Sequence, residues 1–216
     1  MIVKALWKPK NKKTLLTKYL SYLKKKNIEF DSYEKLWKWS VKNKKNFWKS
    51  IWEFSKIKGI FNNPVIINKK DFTSVEFFKN CKINFVENLI RHSNDKKAIS
   101  FYSENNCERH YTWNNLNKSI DVIANYFNSI NIKPYDRIAA VVPNLPETII
   151  SFLATAKIGA IWTSCSADFG SSAIIERFEQ IAPKVLIISD HYYYNNKKIE
   201  ITRRIIPVIK KIKSIK

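Results

Sequence analysis

The first part of the chain places apolar side chains at helical intervals. Leucines and tyrosines recur every three or four positions over residues 15–23, and a second apolar face with two tryptophans follows at residues 47–52. Between them, Asp31 and Glu34 have the three-residue spacing of a capping box, which predicts that a helix begins there. The pattern predicts a helical arm over residues 1–93.

The pattern changes after residue 94. Two short β-rich segments, 98–102 and 109–113, flank a polar stretch and predict a hairpin, after which Thr112 can cap a helix. Apolar strands and helices then alternate: strands at 137–142, 160–164 and 185–189, and helices at 147–158, ended by Gly159, and at 171–181. This alternation is typical of a parallel sheet with right-handed crossovers, which is one half of a doubly wound α/β domain.

The predicted fold class is therefore α/β. A helical N-terminal arm (1–93) precedes the first, incomplete part of a doubly wound parallel-sheet domain (94–216). So few strands would leave an exposed edge and an uncovered face. Residues 203–216 are basic and amphipathic, contain Pro207 and end without a closing strand. We expect the chain to be the N-terminal portion of a longer protein.

Composition narrows the classes of protein that remain. The chain has 216 residues, of which 45% are hydrophobic and 14% aromatic, which is too rich for a disordered chain. No apolar run approaches the roughly 20 residues that span a bilayer, and the first residues have no long apolar signal core. The isolated residues Cys81, Cys107 and Cys165 have neither zinc nor disulfide spacing. We expect a cytoplasmic protein with reduced thiols and no membrane partner.

The formal net charge of +21 has two interpretations. Basic faces with interleaved aromatics bind nucleic acid. The excess, however, is nearly all lysine, and it is scattered in short runs rather than collected in one segment: 10–13, 24–26, 42–45 and 210–216. Arginine, which reads bases with two hydrogen bonds, is scarce. The sequence favours solvated lysine faces, and we expect no nucleic-acid partner.

Ligands of open parallel sheets bind beyond the carboxyl ends of the strands. Here those positions are residues 143–147, 165–170 and 190–198. The chain has three glycines in all and contains neither a G-x-G-x-x-G nor a G-x-x-x-x-G-K-[ST] motif, so no loop can wrap a phosphate closely. A self-contained nucleotide-binding domain is therefore disfavoured.

Few single residues of the chain point to catalysis. The three histidines have no metal-ligand spacing: His92, His110 and His191. Cys165 could be a nucleophile, but no base lies near it in sequence, which favours a small buried residue at a tight turn. Asp168 and Glu147 could act as acid and base, although Glu147 also fits the first turn of its helix, where the dipole favours a carboxylate.

The segment 190–198 combines aromatic rings, amides and two lysines. Such a set suits an adenine ring with a nearby phosphate. It equally suits an exposed loop with no ligand, and the residue types leave both interpretations open.

Several motifs occur in the order found in one family. They are Trp7-Lys8-Pro9, Phe47-Trp48-Lys49-Ser50-Ile51-Trp52-Glu53-Phe54, Asn84-Phe85-Val86-Glu87-Asn88-Leu89, Pro143-Asn144-Leu145-Pro146-Glu147-Thr148 and Gly159-Ala160-Ile161-Trp162-Thr163-Ser164-Cys165-Ser166-Ala167-Asp168-Phe169-Gly170. Together they resemble the acetoacetyl-CoA synthetases, a branch of the acyl-adenylate-forming (AMP-binding) ligases. The Trp162–Ser166 run separates this branch from ordinary acetyl-CoA synthetases.

The resemblance implies an ATP-dependent acetoacetate–CoA ligase that works through an acyl-adenylate, with ATP, coenzyme A and Mg²⁺ as cofactors. The family's phosphate loop, adenylate-binding aspartate and catalytic lysine would lie beyond this chain, so the resemblance assigns no catalytic or metal-binding residue here. We expect the chain alone to be inactive. The alternatives are a fragment of an acetyl- or propionyl-CoA synthetase, or a non-catalytic module that binds coenzyme A or another partner.

The resemblance also implies part of a coenzyme A site. Lys197 would contact a phosphate, Asn195 would donate a hydrogen bond and Tyr194 would stack on the nucleotide. This chain departs from a common form of the family by having His191 and Asn196 where glycine is frequent.

A second part of the coenzyme A site is implied at Asp168 and Phe169, which would lie beside the pantetheine tunnel. The expected partners are thus the small molecules acetoacetate, ATP and coenzyme A, and the sequence leaves the oligomeric state open.

Overall fold

The computed structural model describes residues 13–68 and 71–215. The predicted motif Trp7-Lys8-Pro9 and the lysines at 10–12 lie outside these residues. The chain divides into two compact units between Ile83 and Asn84.

Three helices open the first unit, as the apolar spacing predicts: α1 (Leu15–Lys24), α2 (Tyr33–Lys42) and α3 (Lys44–Phe54). The start of α2 differs from the prediction. Ser32, not Asp31, is the N-cap, because its hydroxyl accepts a hydrogen bond from the backbone N–H of Lys35 at 3.3 Å. Asp31 instead pairs through its carboxylate with the Lys35 ammonium at 2.5 Å.

The three helices enclose a small aromatic and aliphatic core around Tyr19, Leu23 and Leu36. Leu23 is fully buried. The hydroxyl of Tyr19 lies 2.6 Å from the hydroxyl of Ser50, which joins α1 to α3 inside this core. A buried hydroxyl without a hydrogen-bond partner would lower the stability of the fold. Because Tyr19 and Ser50 bond to each other, both hydroxyls can be buried in this core.

Apart from one 3-10 turn, the described residues between 59 and 83 are not helical, so the prediction of a helical arm up to residue 93 is wrong for this segment. It contains the pairs β1 (Gly59–Ile60) with β4 (Lys82–Ile83) and β2 (Ile66–Ile67) with β3 (Glu76–Phe77), and a 3-10 helix at Phe72–Ser74. Strands two residues long leave no periodicity to detect. Trp52 of α3 packs its ring 5.4 Å from Phe61 and 5.2 Å from Phe78, measured between centroids.

The second unit begins at Asn84, which is followed by α4 (Phe85–Leu89). The side chain of Asn84 forms hydrogen bonds with two helices. Its side-chain oxygen accepts from the N–H of Val86 at 2.8 Å and caps α4. Its side-chain nitrogen donates to the carbonyls of Ala156 and Lys157 at 2.9 and 3.1 Å, near the carboxyl end of a later helix. These contacts place Asn84 and α4 in the second unit, ahead of the domain boundary predicted after residue 93.

A hairpin and a long helix come next, as predicted. Strands β5 (Lys97–Tyr102) and β6 (Glu108–Thr112) pair antiparallel, and α5 spans Trp113–Ser129. The hydroxyl of Thr112 accepts from the N–H of Asn115 at 3.1 Å, which confirms Thr112 as the cap.

The alternating segments form the predicted parallel sheet. Its elements are β7 (Arg137–Val141), α6 (Pro146–Lys157), β8 (Ile161–Cys165), α7 (Ser171–Glu179) and β9 (Val185–Ile188). The strand order is β8-β7-β9, and both pairings are parallel. The chain therefore passes from β7 to one neighbour and then crosses β7 to reach the other side, which is the doubly wound arrangement.

Helices cover both faces of this sheet. On one face Ile138 of β7 packs with α5 and α6; on the other, Ala139 and Val141 pack with α7 and the last helix, α8 (Thr202–Lys211). Helix α6 ends as predicted at Gly159, whose φ of +75° allows the N–H of Ala160 to reach the carbonyl of Thr155 at 3.1 Å.

The segment before α8 differs from the prediction. Residues 190–198 were expected to form a loop, but the structure has a second hairpin, β10 (His191–Tyr194) paired with β11 (Lys197–Glu200). The two asparagines between these strands form its turn. Among the described residues, no helix is both long and apolar enough to cross a membrane.

An ion pair stabilises the amino-terminal edge of the sheet. The carboxylate of Asp136, just before β7, lies 2.7 Å from the ammonium of Lys184, just before β9, and it also accepts from the N–H of Lys133 at 2.8 Å. Asp136 is only 8% exposed. The hydrogen bond from Lys184, followed by that from the Lys133 backbone, lowers the pKa of Asp136 below its ordinary value.

We expect this pair to make the second unit sensitive to acid. Because the folded pKa of Asp136 is depressed, its contribution is complete above the unfolded pKa of about 3.8 and disappears as the pH falls through the folded pKa. Asp136→Asn should therefore cost about 1 kcal/mol at pH 7 and progressively less as the pH falls below about 4. Urea unfolding at a series of pH values measures this.

Asp121→Asn is the matched control, because Asp121 forms an exposed ion pair with Lys157 that includes neither Asp136 nor Lys184. It should unfold with the parent's pH dependence. An Asp136→Asn variant as stable as the parent at pH 7, or one whose deficit persists unchanged at pH 2, would contradict the assignment.

Candidate functional site

A cavity of about 560 Å³ lies at the carboxyl edge of the sheet, within the second unit. The turn after β7, the start of α6 and the chain after β9 form one side, and the β5–β6 hairpin forms the other. Its lining is Phe101, Tyr102, Ser103, Glu104, Asn105, Cys107, Arg109, Pro143, Asn144, Leu145, Glu147, Ser189, Asp190, His191, Tyr192 and Tyr193. This volume lies within the usual range of small-molecule sites.

The position of the cavity follows from the strand order. From β7 the chain turns towards β8, whereas β9 lies on the opposite side of β7. The connections that leave neighbouring strands β7 and β9 therefore diverge and leave a crevice between them. This is where ligands bind in open α/β sheets.

One wall of the cavity contains an ion pair between two elements. The guanidinium of Arg109 on β6 meets the carboxylate of Glu147 in the first turn of α6 through both terminal nitrogens, with Nη2 3.0 Å from Oε2. The Tyr111 hydroxyl also donates to this carboxylate, at 3.4 Å, and the Arg109 guanidinium lies 5.0 Å from the centre of the Phe101 ring.

Burial alone would raise the pKa of Glu147, but the hydrogen bonds from Arg109, from the backbone N–H of Glu147 and from Tyr111, together with the charge of Arg109, outweigh burial and hold that pKa below its ordinary value. Glu147 is therefore an anion bound to Arg109 and is unsuited to act as a general acid near neutral pH. The location in the first helical turn agrees with the simpler of its two sequence interpretations.

The predicted nucleotide contacts occupy the tip of the β10–β11 hairpin. Tyr194 and Lys197 form the last pair of the ladder, and Asn195 and Asn196 form the turn between them. Both asparagines have positive φ, 50° and 57°. A two-residue turn with both residues in the left-handed region matches the right-handed twist of a hairpin, and asparagine tolerates this conformation better than other residues with a Cβ. The two asparagines therefore form this turn without a glycine.

The hairpin divides its aromatic residues between the cavity and solvent. Tyr192 and Tyr193 line the cavity with His191, whereas Tyr194 is 66% exposed at the tip. Lys197 is exposed as well, and none of the described acidic side chains pairs with it. The sequence analysis selected Tyr194, Asn195 and Lys197 at the tip but not Tyr192 and Tyr193, which line the cavity; Tyr192 also packs against the core beside α7 and α8.

Asp168 and Phe169 lie after β8, on the other side of β7. The Arg204 guanidinium of α8 donates to the carbonyl of Asp168 at 3.1 Å and reaches that of Phe169 at 3.5 Å. The Arg177 guanidinium of α7 lies 4.8 Å from the centre of the Phe169 ring. These contacts fix the turn. It does not line the cavity, because β7 separates the two segments by two strand spacings, roughly 10 Å.

The remaining candidate residues show no catalytic arrangement. Cys165 ends β8, and burial is the main factor that raises the pKa of its thiol, so a thiolate nucleophile is disfavoured. His110 contacts Ser100 and Glu108 on its own hairpin, and His92 packs its ring against Trp113. Across residues 13–68 and 71–215, no group of three or more His, Cys, Asp or Glu side chains is arranged to hold a metal ion.

The sequence analysis missed the contribution of the first hairpin. Phe101, Tyr102, Glu104 and Arg109 all line the cavity, although they precede the sheet in sequence. The predicted hairpin was a signal for a β-element there, but its position at the cavity depends on contacts between distant residues, such as Glu104 with Asn196, 92 positions apart.

Comparisons with known proteins agree on one family. A family model described as AMP-binding enzyme matches residues 86–215. The chain is 36% identical to the acetoacetyl-coenzyme A synthetase of Rhizobium meliloti over 183 residues, which is 85% of this chain and 28% of that protein. It is 33% identical to the acetoacetyl-CoA synthetase of Xenopus tropicalis (92% and 30%) and 31% identical to that of Macaca fascicularis (98% and 32%).

A solved structure supports the fold. The acetoacetyl-CoA synthetase from Streptomyces lividans superposes with a TM-score of 0.82 at 24% identity, over 92% of this chain and 32% of that one. The chain thus spans about 30% of the length of the relatives it matches. Because the family model covers more than half of the chain, this protein belongs to the AMP-binding enzyme family.

Proposed function

We propose that this chain is part of an ATP-dependent acetoacetate–CoA ligase of the cytoplasm. In such an enzyme the acetoacetate carboxylate attacks the α-phosphorus of ATP, which releases diphosphate and forms acetoacetyl-AMP. The thiol of coenzyme A then attacks the acyl carbon, and AMP leaves. The observation that carries the proposal is the similarity to acetoacetyl-CoA synthetases of three organisms, at 31–36% identity over 85–98% of this chain.

The residues of this chain suit the thiol substrate better than ATP. The chain has three glycines and no glycine-rich loop motif, so the residues present do not fit a triphosphate and no step through ATP is assigned to them. The described residues likewise offer no metal cluster for Mg²⁺, which we assign to the full-length enzyme.

The β10–β11 hairpin fits the nucleotide end of coenzyme A. The tip presents an ammonium at Lys197 for a phosphate and an amide at Asn195 for a hydrogen bond, and the Tyr194 ring is free to stack. Next to the tip, Tyr192 and Tyr193 line the cavity and offer further aromatic surface for an adenine ring.

Asp168 and Phe169 suit the pantetheine arm for a different reason. Their turn is fixed by Arg204 and Arg177 through the contacts described above. A narrow chain such as pantetheine gains affinity from walls that are already rigid, because little conformational entropy is then lost on binding.

We expect coenzyme A to bind the 216-residue chain and Lys197→Ala to weaken that binding about tenfold. One charge-assisted hydrogen bond to a phosphate contributes roughly 1.5–3 kcal/mol, and 1.4 kcal/mol corresponds to a factor of ten. Isothermal titration calorimetry with coenzyme A measures the affinity. Dephospho-coenzyme A, which lacks the 3′-phosphate, serves as the second probe, and Lys197→Ala should reduce the preference for coenzyme A over it.

The matched control is Lys118→Ala, which removes an exposed lysine from α5. It should bind coenzyme A like the parent. A parent chain that shows no binding, or a Lys197→Ala variant with the parent's affinity, would count against the coenzyme A assignment.

We further expect the 216-residue chain alone to lack acetoacetate-activating activity. Acyl-adenylate formation needs donors arranged around the α-phosphate, and this chain supplies no such loop. Acetoacetate-dependent exchange of diphosphate into ATP measures this step directly. Exchange by the purified chain above a heat-inactivated control would show that the chemistry resides in these residues.

A further inference from the structure

A hydrogen bond joins the turns of the two hairpins that contribute to the cavity lining. The carboxylate of Glu104, in the turn between β5 and β6, accepts from the backbone N–H of Asn196 at 3.0 Å. The two residues are 92 positions apart in sequence. Glu104 lines the cavity, as do His191, Tyr192 and Tyr193 of the second hairpin, so the bond joins two elements of the cavity lining.

The donor in this bond belongs to the turn itself. The ladder of the β10–β11 hairpin ends at the pair Tyr194 and Lys197, so the N–H of Asn196 is not part of the strand pairing. Asn196 also has a φ of 57°, a conformation that costs energy in any residue with a Cβ. A partner for its N–H offsets that cost and favours one geometry of the turn.

The acceptor is presented by a turn that is closed independently. The N–H of Ser103 donates to the carbonyl of Cys107 at 3.1 Å, and the N–H of Asn106 donates to the carbonyl of Ser103 at 3.1 Å. Glu104 lies within this closed loop, which limits where its carboxylate can reach. The first hairpin can therefore act as a support for the second.

Because the acceptor is a negatively charged carboxylate, two possible roles of Glu104 predict opposite effects on phosphate binding. The bond places a carboxylate at the Asn196 amide, one position along the chain from both Asn195 and Lys197, the residues proposed to meet a phosphate. A like charge near a phosphate opposes its binding. If the carboxylate served only as an anion, its removal would strengthen coenzyme A binding; if it positions the turn, removal of the acceptor would weaken binding.

We propose that Glu104 is a positioning residue for the coenzyme A contacts: it holds the Asn195–Asn196 turn in the geometry in which Asn195 and Lys197 meet the nucleotide. This inference rests on the proposed function of the hairpin. Glu104 itself touches no reacting atom, and its effect passes through the Asn196 amide.

The test compares Glu104→Ala with Glu104→Gln in the full 216-residue chain. Glu104→Ala removes the acceptor and should weaken coenzyme A binding about fivefold. Glu104→Gln keeps a carbonyl oxygen that can accept from Asn196 but removes the negative charge, so its affinity should equal or exceed that of the parent. Glu108→Gln changes a glutamate of the same hairpin that contacts His110 instead, and it should bind like the parent.

The Asn196 amide gives a readout that does not depend on coenzyme A. In ¹H–¹⁵N spectra of the parent and of Glu104→Gln, this amide should be protected from hydrogen exchange, and Glu104→Ala should lose that protection. Failure of the parent to bind coenzyme A would overturn the proposed function of the hairpin, while the amide would still report whether Glu104 holds the turn. Unchanged protection in Glu104→Ala, or coenzyme A affinity equal to or above the parent's in that variant, would overturn the positioning role.

Discussion

The second unit depends on the burial of one strand on both faces. Residues Ile138 to Val141 of β7 are completely buried, and alternate side chains enter two different cores. A strand buried in this way must have a partner strand on each side and helices above and below, because its backbone groups have no water to bind. The order β8-β7-β9 and the two helical layers meet this requirement. Because the three strands are parallel, their carboxyl ends lie at the same edge of the sheet.

The same arrangement separates the two proposed parts of the coenzyme A site. The Asp168–Phe169 turn follows β8 and the Tyr194–Lys197 tip follows β9, so β7 lies between them. An extended ligand with a nucleotide at one end and a thiol at the other can span such a gap, whereas a compact ligand cannot contact both sides. The spacing of the strands is thus compatible with the proposal that one long cofactor contacts both segments.

Electrostatics has different roles at the two edges of the sheet. At the amino-terminal edge, Lys184 and Asp136 neutralise each other and join β9 to β7. At the carboxyl edge, Arg109 is occupied by Glu147, and Lys197 projects at the hairpin tip without an acidic partner among the described residues. The net charge of +21 is therefore compatible with a ligand site that depends on a few placed cations, while most lysines lie in water.

The sequence by itself determined the features that depend on neighbouring residues. The period of apolar positions predicted the main helices and the parallel strands, and single residues with special backbone roles, Thr112 and Gly159, fixed where helices begin and end. Ordered motifs identified the family. The local signals failed where elements are two residues long, as at 59–83, and where Ser32 rather than Asp31 takes the cap.

Only the tertiary structure decided which segments meet. Glu104 reaches Asn196, Arg109 reaches Glu147 and Asn84 reaches the end of α6, across 92, 38 and more than 70 positions. No local pattern encodes these contacts, because they follow from the strand order and from the layer into which each helix packs. The same reason explains why the sequence selected the β10–β11 segment but could not tell that Tyr192 and Tyr193 line the cavity while Tyr194 is exposed at the tip.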